Sequence, residues 1–385
     1  MFTGSDVERI NFAIEATAKA GGGKVVVPRG LWLIDSAILV RSDITLVLDN
    51  CRIKLSDKCR DNMIRSANCG VGVTDIKPMR NVRIIGVGNV VFEGADHPRA
   101  TGDSGKKLIM PGPVPKKWKR ESYGTDAGVA GENTKGDWRN IGILLAYVDG
   151  FSIENVKVVD SHCWAISLER CGGGVLRDIN FASRGYKMID GVKRVILNQD
   201  GIDLRQGCYD ILIENVSGFT GDDTIALTGI SGGVKAGSLT STMVSGTVDR
   251  GNGLDDIRDI EIGDVRASSK FNIVRILNTG GCKLHDVIID GLIDTSGEDR
   301  RCFSGVRIGD AYTGYGKTAA LGETARIIIN NVITKSRDSV KIEGSLCDSV
   351  ISNVVHYGED GEAVSIGADK VNIRNVKIIG TVAVE

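Results

Sequence analysis

Three aspartates stand out by their spacing. Asp200 sits in the run Asn198-Gln199-Asp200-Gly201-Ile202-Asp203-Leu204. Asp222 and Asp223 follow in Thr220-Gly221-Asp222-Asp223-Thr224-Ile225-Ala226-Leu227, about 22 residues further on. Carboxylates held within a few ångström of one another repel, which raises the pKa of at least one of them. A protonated carboxyl beside an ionised one is the pair that glycosidic bond cleavage needs, one to protonate the leaving oxygen and one to activate water. The same oxygens, with those of Asp203, also suit a calcium ion. Either chemistry requires a fold that stacks the chain on itself at the interval from Asp200 to Asp222.

The rest of the sequence carries that period. Short apolar runs ending in Asn or Asp recur at Ser152–Val156, Val175–Ile179, Leu212–Val216, Glu261–Val265, Ile288–Leu292, Ile328–Val332, Ile351–Val354 and Asn372–Val376. Asn331, Asn353 and Asn375 follow one another at the same interval as Asp200 and Asp222, and the step from Asn155 to Asp178 is longer by one position. Between them, in a fixed phase, lie alternating segments such as Trp164–Leu168, Gly201–Leu204, Thr224–Leu227, Val274–Leu277 and Gly305–Ile308. Alternation of apolar and polar residues marks strands. Two or three short strands per period, punctuated by Gly and Asn, predict a parallel β-helix whose coils stack about 4.8 Å apart. The composition agrees. Fifty glycines in 385 residues, about 13%, exceed the usual value near 7%, and helix interiors disfavour glycine by about 1 kcal/mol.

The expected architecture is therefore all-β, a single β-helix domain over residues 1–385 of roughly ten coils. Residues 6–19 place Val7, Ile10 and Ile14 on one helical face behind Ser5 as N-cap, so they should form a helix plugging the first coil. Thr381–Val384 is expected to be a last strand, with no cap after it. Cys171, Cys208, Cys282 and Cys347 precede their markers by six to eight positions, which predicts one interior stack of buried thiols. Residues 97–137 lack periodicity and hold four of the six prolines and a cluster of lysines. They read as a long loop insertion, either solvated or a basic lid over an anionic ligand.

Charge narrows the function. Lys+Arg 48 against Asp+Glu 49 gives −1, unlike the strongly basic balance of nucleic-acid-binding domains. No apolar stretch is long enough to span a membrane. The first residues carry acids and no apolar run, so they are not a secretory signal; the expectation is a cytoplasmic protein, or a secreted one trimmed at its start. Nine cysteines with no Cys-x-x-Cys pair argue against a disulfide framework or a zinc ribbon. No cofactor and no metal are expected.

On these residues the chain resembles glycoside hydrolase family 28, the polygalacturonases, right-handed parallel β-helices of the pectin-lyase type. That family's motifs read Asn-Thr-Asp, Gly-Asp-Asp, Gly-His-Gly and Arg-Ile-Lys. Here Asn198-Gln199-Asp200 and Gly221-Asp222-Asp223 match the first two. Val25–Pro28 resembles the family's first strand, and Ser161-His162-Cys163-Trp164 its Ser-Pro-x-Trp segment. The last two motifs depart: Asn272 stands for the histidine, and Arg307-Ile308-Gly309 keeps the arginine and loses the lysine. The resemblance implies Asp222 as general acid, with Asp200 and Asp223 activating water. That is an inverting arrangement, for which carboxyls stand about 6.5–9.5 Å apart. Strict alternation would turn Asp200 inward with Ile202 and Leu204, so the motif works if the chain bends at Gly201 and Gly221. Further substrate-binding candidates are Arg307, Asp203, Arg205, Trp164, His162, Asn272, Arg275, Asp310 and Tyr312. Trp164 reads either as a ring that stacks on a sugar or as one packed under a loop.

The leading expectation is an inverting, exo-acting glycoside hydrolase on an oligosaccharide or polysaccharide containing uronate or rhamnose. The alternatives are a calcium-assisted β-helix lyase and a non-catalytic carbohydrate-binding β-helix of the tailspike kind. The sequence leaves the oligomeric state open.

Overall fold

The computed structural model describes residues 4–59, 61–69, 76–97, 140–196, 198–229, 252–297, 301–309, 319–367 and 372–384. Among them the chain winds as a right-handed parallel β-helix. One sheet stacks the strands Gly23–Val27, Ile44–Asp49, Met79–Val87, Val148–Val159, Gly172–Ala182, Tyr209–Thr220, Ile257–Ser269, Leu284–Asp294, Thr324–Thr334, Leu346–His356 and Ile373–Ala383 in chain order. The facing sheet has ten shorter strands, one per coil, from Ile38–Val40 to Val364–Ile366. All pairings between coils are parallel. The alternation read in the sequence is the burial alternation of the strands: in Ile44–Asp49 the apolar Ile44, Leu46 and Leu48 point into the core. One continuous core runs from Val7 to Ala363.

The long strands turn at left-handed residues, and these form two columns. One comprises Asp43, Asn81, Gly150, Gly173, Asp210, Asp259, Asp286, Arg326, Asp348 and Asn375, with φ between +50° and +75°. The other comprises Asn155, Asp178, Asn215, Asp264, Gly291, Asn331, Asn353 and Gly380. Asn, Asp and Gly tolerate this conformation best, and side chains link successive coils, as from Asn215 Nδ2 to Asp178 (2.6 Å) and Asn375 Nδ2 to Asp348 (2.8 Å). The repeated Asn and Asp are therefore bends. The even step from Asn353 to Asn375 joins two different columns: Gly380 lies beside Asn353, and Asn375 beside Asp348.

The helix over Asp6–Lys19 forms as expected, with a full capping box between Ser5 and Glu8, and buries Val7, Ile10 and Ile14 against the first coil. It covers strand edges that would otherwise be open. At the far end the last strand runs Ile373–Ala383, longer than expected, and Ile366 and Ile378, which continue core columns, are 40% and 41% exposed. All nine cysteines are free and buried. The expected stack of four is corrected: Cys171 and Cys208 are neighbours, but the register puts Ile257 and Leu284 next in that column and shifts Cys347 by one position, beside Ala325. The two bends keep the same separation in every coil; the counts differ because the cysteines sit at different positions ahead of the first bend. Residues 98–137 of the expected loop lie outside the described residues. Among the described residues no helix is long and apolar enough to cross a membrane.

Candidate active site

The three aspartates meet at the entrance to two adjacent strands of the ten-stranded sheet. Ile202–Leu204 pairs with Ile225–Gly229, with Ile202 opposite Ile225. Gly201 N–H donates to the Asp223 carbonyl (2.9 Å) and Asp222 N–H to the Gln199 carbonyl (3.2 Å). Asp200 thus lies beside Asp223, and Asp222 beside Gln199, so the local coil exceeds the motif spacing by a single position. All three carboxylates precede the first strand residue, so strand alternation does not constrain them. The chain does bend at Gly201 and at Gly221, as expected. Gly201 and Gly221 permit close approach: a Cβ on Gly201 would lie 2.3 Å from the Thr224 carbonyl oxygen, and one on Gly221 2.5 Å from Gln199 Oε1 and from Gly185.

A polar scaffold fixes the geometry. The Asp222 carbonyl accepts from Thr220 Oγ1 and Ser269 Oγ (2.6 Å each). Asp222 Oδ1 accepts from Asp223 N–H (3.0 Å). Asp223 Oδ1 accepts from both the backbone N–H of Asn272 (3.0 Å) and its Nδ2 (2.7 Å). Gln199 accepts from Gly185 N–H at Oε1 (2.6 Å) and donates to the Ser161 carbonyl, so it ties the aspartate-bearing turn to the start of its own excursion and to the preceding coil. The carboxylates each offer an oxygen within 4.8 Å of the other two. These nearest oxygens are closer than the separation of about 6.5–9.5 Å expected of inverting carboxyls.

Asp200 is 7% exposed, and Asp222 and Asp223 are half-buried. Burial, then the charges of Asp222, Asp203 and Asp223, push the Asp200 carboxyl well above the ordinary carboxylate range. Burial raises Asp223 too, opposed by the Arg275 charge, the Asn272 hydrogen bonds and Arg307. Protons in such a cluster belong to the group as a whole. A carboxyl whose pKa is raised on folding stabilises the fold at low pH and loses that contribution as pH climbs through the folded value. Asp200→Asn is therefore expected to raise Tm relative to the parent at pH 8, with the gain vanishing below the ordinary aspartate value of 3.8. Thermal unfolding of both chains across pH 3–9 checks this; a gain that grows toward acid would contradict it.

The other candidates divide. Asn272 holds Asp223. Arg275 is 5% exposed, donates from Nη1 to the Gly309 carbonyl (2.6 Å), and acts on Asp223 by charge. Arg307 binds Glu343. Asp203 is 2% exposed, beside Ser167 of the preceding strand. Of the two readings of Trp164 the packed one holds: it is 5% exposed among Cys69, Ile141, Leu144, Ala146 and Cys163. The Arg205 guanidinium lies over its ring, 4.6 Å from the centroid, which removes Arg205 from the cleft as well. His162 is buried against Gly94, and burial holds its imidazole down to about 3, hence neutral. Asp310 and Tyr312 lie outside the described residues. Sequence reasoning missed Gln199, Thr220, Ser269 and Glu343. Gln199 and Thr220 flank the aspartates in the motifs themselves; Ser269 and Glu343 come from later coils and give no local signal.

No protein-family profile matches the chain, and no curated sequence does. Solved structures do match. An endo-xylogalacturonan hydrolase from Aspergillus tubingensis is 12% identical, covering 99% of this chain and 90% of that one at a TM-score of 0.61. A hyperthermoactive exopolygalacturonase from Thermotoga maritima is 18% identical, over 96% and 87%, at 0.54. A mutant tailspike protein of E. coli bacteriophage HK620, in complex with a pentasaccharide, is 12% identical, over 100% and 63%, at 0.60. At these identities the likeness is one of fold, and that fold is the one expected from the sequence.

Proposed function

We propose that this chain is a glycoside hydrolase that cleaves an oligosaccharide or polysaccharide at the Asp200–Asp222–Asp223 cluster. The observation that carries the reading is the meeting of three carboxylates within 4.8 Å with burial holding Asp200 protonated beyond the ordinary range, so the cluster holds a proton beside ionised carboxylates and shares it among its members. Asp222, more open than Asp200, donates to the leaving oxygen; Asp223, held by Asn272, activates water or attacks. Similar folds among carbohydrate hydrolases, and a tailspike in complex with a pentasaccharide, support a glycan as the partner. A screen of uronate-, rhamnose- and galactose-containing oligosaccharides is expected to release a reducing sugar. NMR of the first-formed anomer then tests the inversion that the resemblance implies. Binding without cleavage of any glycan would favour the tailspike-like reading.

One observation favours a second reading. The same three oxygens suit a divalent cation, as a calcium-assisted lyase would need. The signs of such a lyase are an unsaturated product that absorbs in the ultraviolet and activity lost to chelator. Either sign would favour the lyase over the hydrolase.

A further inference from the structure

A guanidinium beside a carbohydrate acid site is the group that would bind an anionic sugar, since its fork matches a carboxylate or sulfate. In this chain that fork is occupied. Arg307 donates from Nε (2.8 Å) and from Nη2 to Glu343 Oε2. The Glu343 side chain is 5% exposed, and its Oε1 lies 3.3 Å from Lys341 Nζ, which also reaches Asp338 (3.2 Å). Arg275, Arg307 and Lys341 stand side by side on consecutive strands, so the ladder of cations leads directly away from the aspartates. Two carboxylates, Glu343 and Asp338, neutralise Arg307 and Lys341.

The backbone is built to bring Glu343 there. Its N–H donates to the Ile308 carbonyl (2.7 Å). Gly309 adopts φ +75°, and a Cβ on it would lie 2.4 Å from the Gly344 Cα. The two turns therefore touch through glycine on both coils. A side chain at position 309 is excluded, which explains physically why the lysine of the related motif is missing.

We propose that Glu343 is an internal anion that fills the anion-binding position of the cleft and makes the subsite over Arg307 select an uncharged, hydroxyl-bearing sugar ring over a uronate. A sugar carboxylate approaching Arg307, the more exposed of the two, would find its Nε and Nη2 engaged and the Glu343 charge directly beneath, whereas an uncharged hydroxyl meets no such repulsion. The inference rests on the reading of the aspartate cluster as a glycan site.

The test uses methyl galactoside and methyl galacturonide, which share a ring and differ in the charge at one carbon. Their binding to the full chain is compared by saturation-transfer NMR and titration at low and high salt. The parent chain is expected to favour the neutral ring. Glu343→Gln keeps the side-chain shape and should improve binding of the galacturonide by about 10-fold or more relative to the galactoside, in a salt-sensitive manner. Preference of the parent for the galacturonide, an unchanged ratio in a folded variant, or binding of neither ring would overturn the inference; the parent's own preference requires no variant to fold. Because the readout is binding, the expected ratios with no oligosaccharide ever cleaved would leave Glu343 in this role and sink the hydrolase reading instead.

Discussion

Asp222→Asn is expected to lower turnover of the cognate glycan by about 10²–10⁴-fold, the usual contribution of a positioned general acid. The substitution is conservative in shape. The Asp222 carbonyl keeps its bonds from Thr220 and Ser269, and an amide oxygen at Oδ1 still accepts from Asp223 N–H. What disappears is the transferable proton. Taking one ionisable carboxyl out of a cluster that shares its protons also relieves repulsion on Asp200, so the variant should be at least as stable as the parent. The diagnostic comparison is between leaving groups. A natural glycoside needs its departing oxygen protonated, whereas an activated aryl glycoside leaves as a weak base. The defect should be large on the first and small on the second. Full turnover of the natural substrate by the variant would remove Asp222 from the acid role.

Gly201→Ala is expected to damage stability and activity together. The added Cβ would lie 2.3 Å from the Thr224 carbonyl oxygen and 2.8 Å from the Phe181 ring. That carbonyl accepts from Ile202 N–H, and Gly201 N–H is itself bonded to the Asp223 carbonyl. The backbone cannot retreat without breaking the two bonds that hold Asp200 beside Asp223. Overpacking of this kind costs about 1–3 kcal/mol, and a displacement of about 1 Å in a catalytic group can cost about 10²-fold in rate. Gly297 supplies the control. A Cβ there meets nothing within 4 Å, so Gly297→Ala should stay within about 0.5 kcal/mol. Denaturant unfolding of the three chains, with turnover measured on each, decides the matter; equal midpoints would show that the close approach at Gly201 is not structural.

Much of the architecture was legible because a β-helix writes its period into the chain. Asn, Asp and Gly recur where the backbone must turn left-handed, and alternation between them announces the strands. The aspartate cluster was legible for the same reason, since motifs about one coil apart must become neighbours. The errors came from quantities that a period does not contain. Register was off by one at Asp222 because coils differ in length, and the cysteines scattered because they stand at different positions ahead of the first bend. The burial of Trp164 and His162 could not be read because their own segment shows nothing of what covers them; the cover comes from other coils, such as Ile141 and Leu144 around Trp164. Glu343 was invisible as a partner of Arg307 because only the stacking of Gly309 on Gly344 brings it near.

The column of left-handed residues has a consequence for how such a chain can grow. The path between bends is short from Arg326 to Asp348. It is about twice as long from Asp210 to Asp259, and about three times as long from Asn81 to Gly150. Yet in each of these pairs the two bends lie one coil apart in the same column. Each bend fixes where the chain must return, while the contour between bends is free. Closing a longer excursion costs only about (3/2)RT times the logarithm of the length ratio, a small sum against the hydrogen bonds of a full coil. New segments can therefore be spliced in at the corners without renumbering the stack. The ladder beneath keeps the aspartates in place while the surrounding loops are exchanged, so catalysis and recognition can evolve on separate schedules.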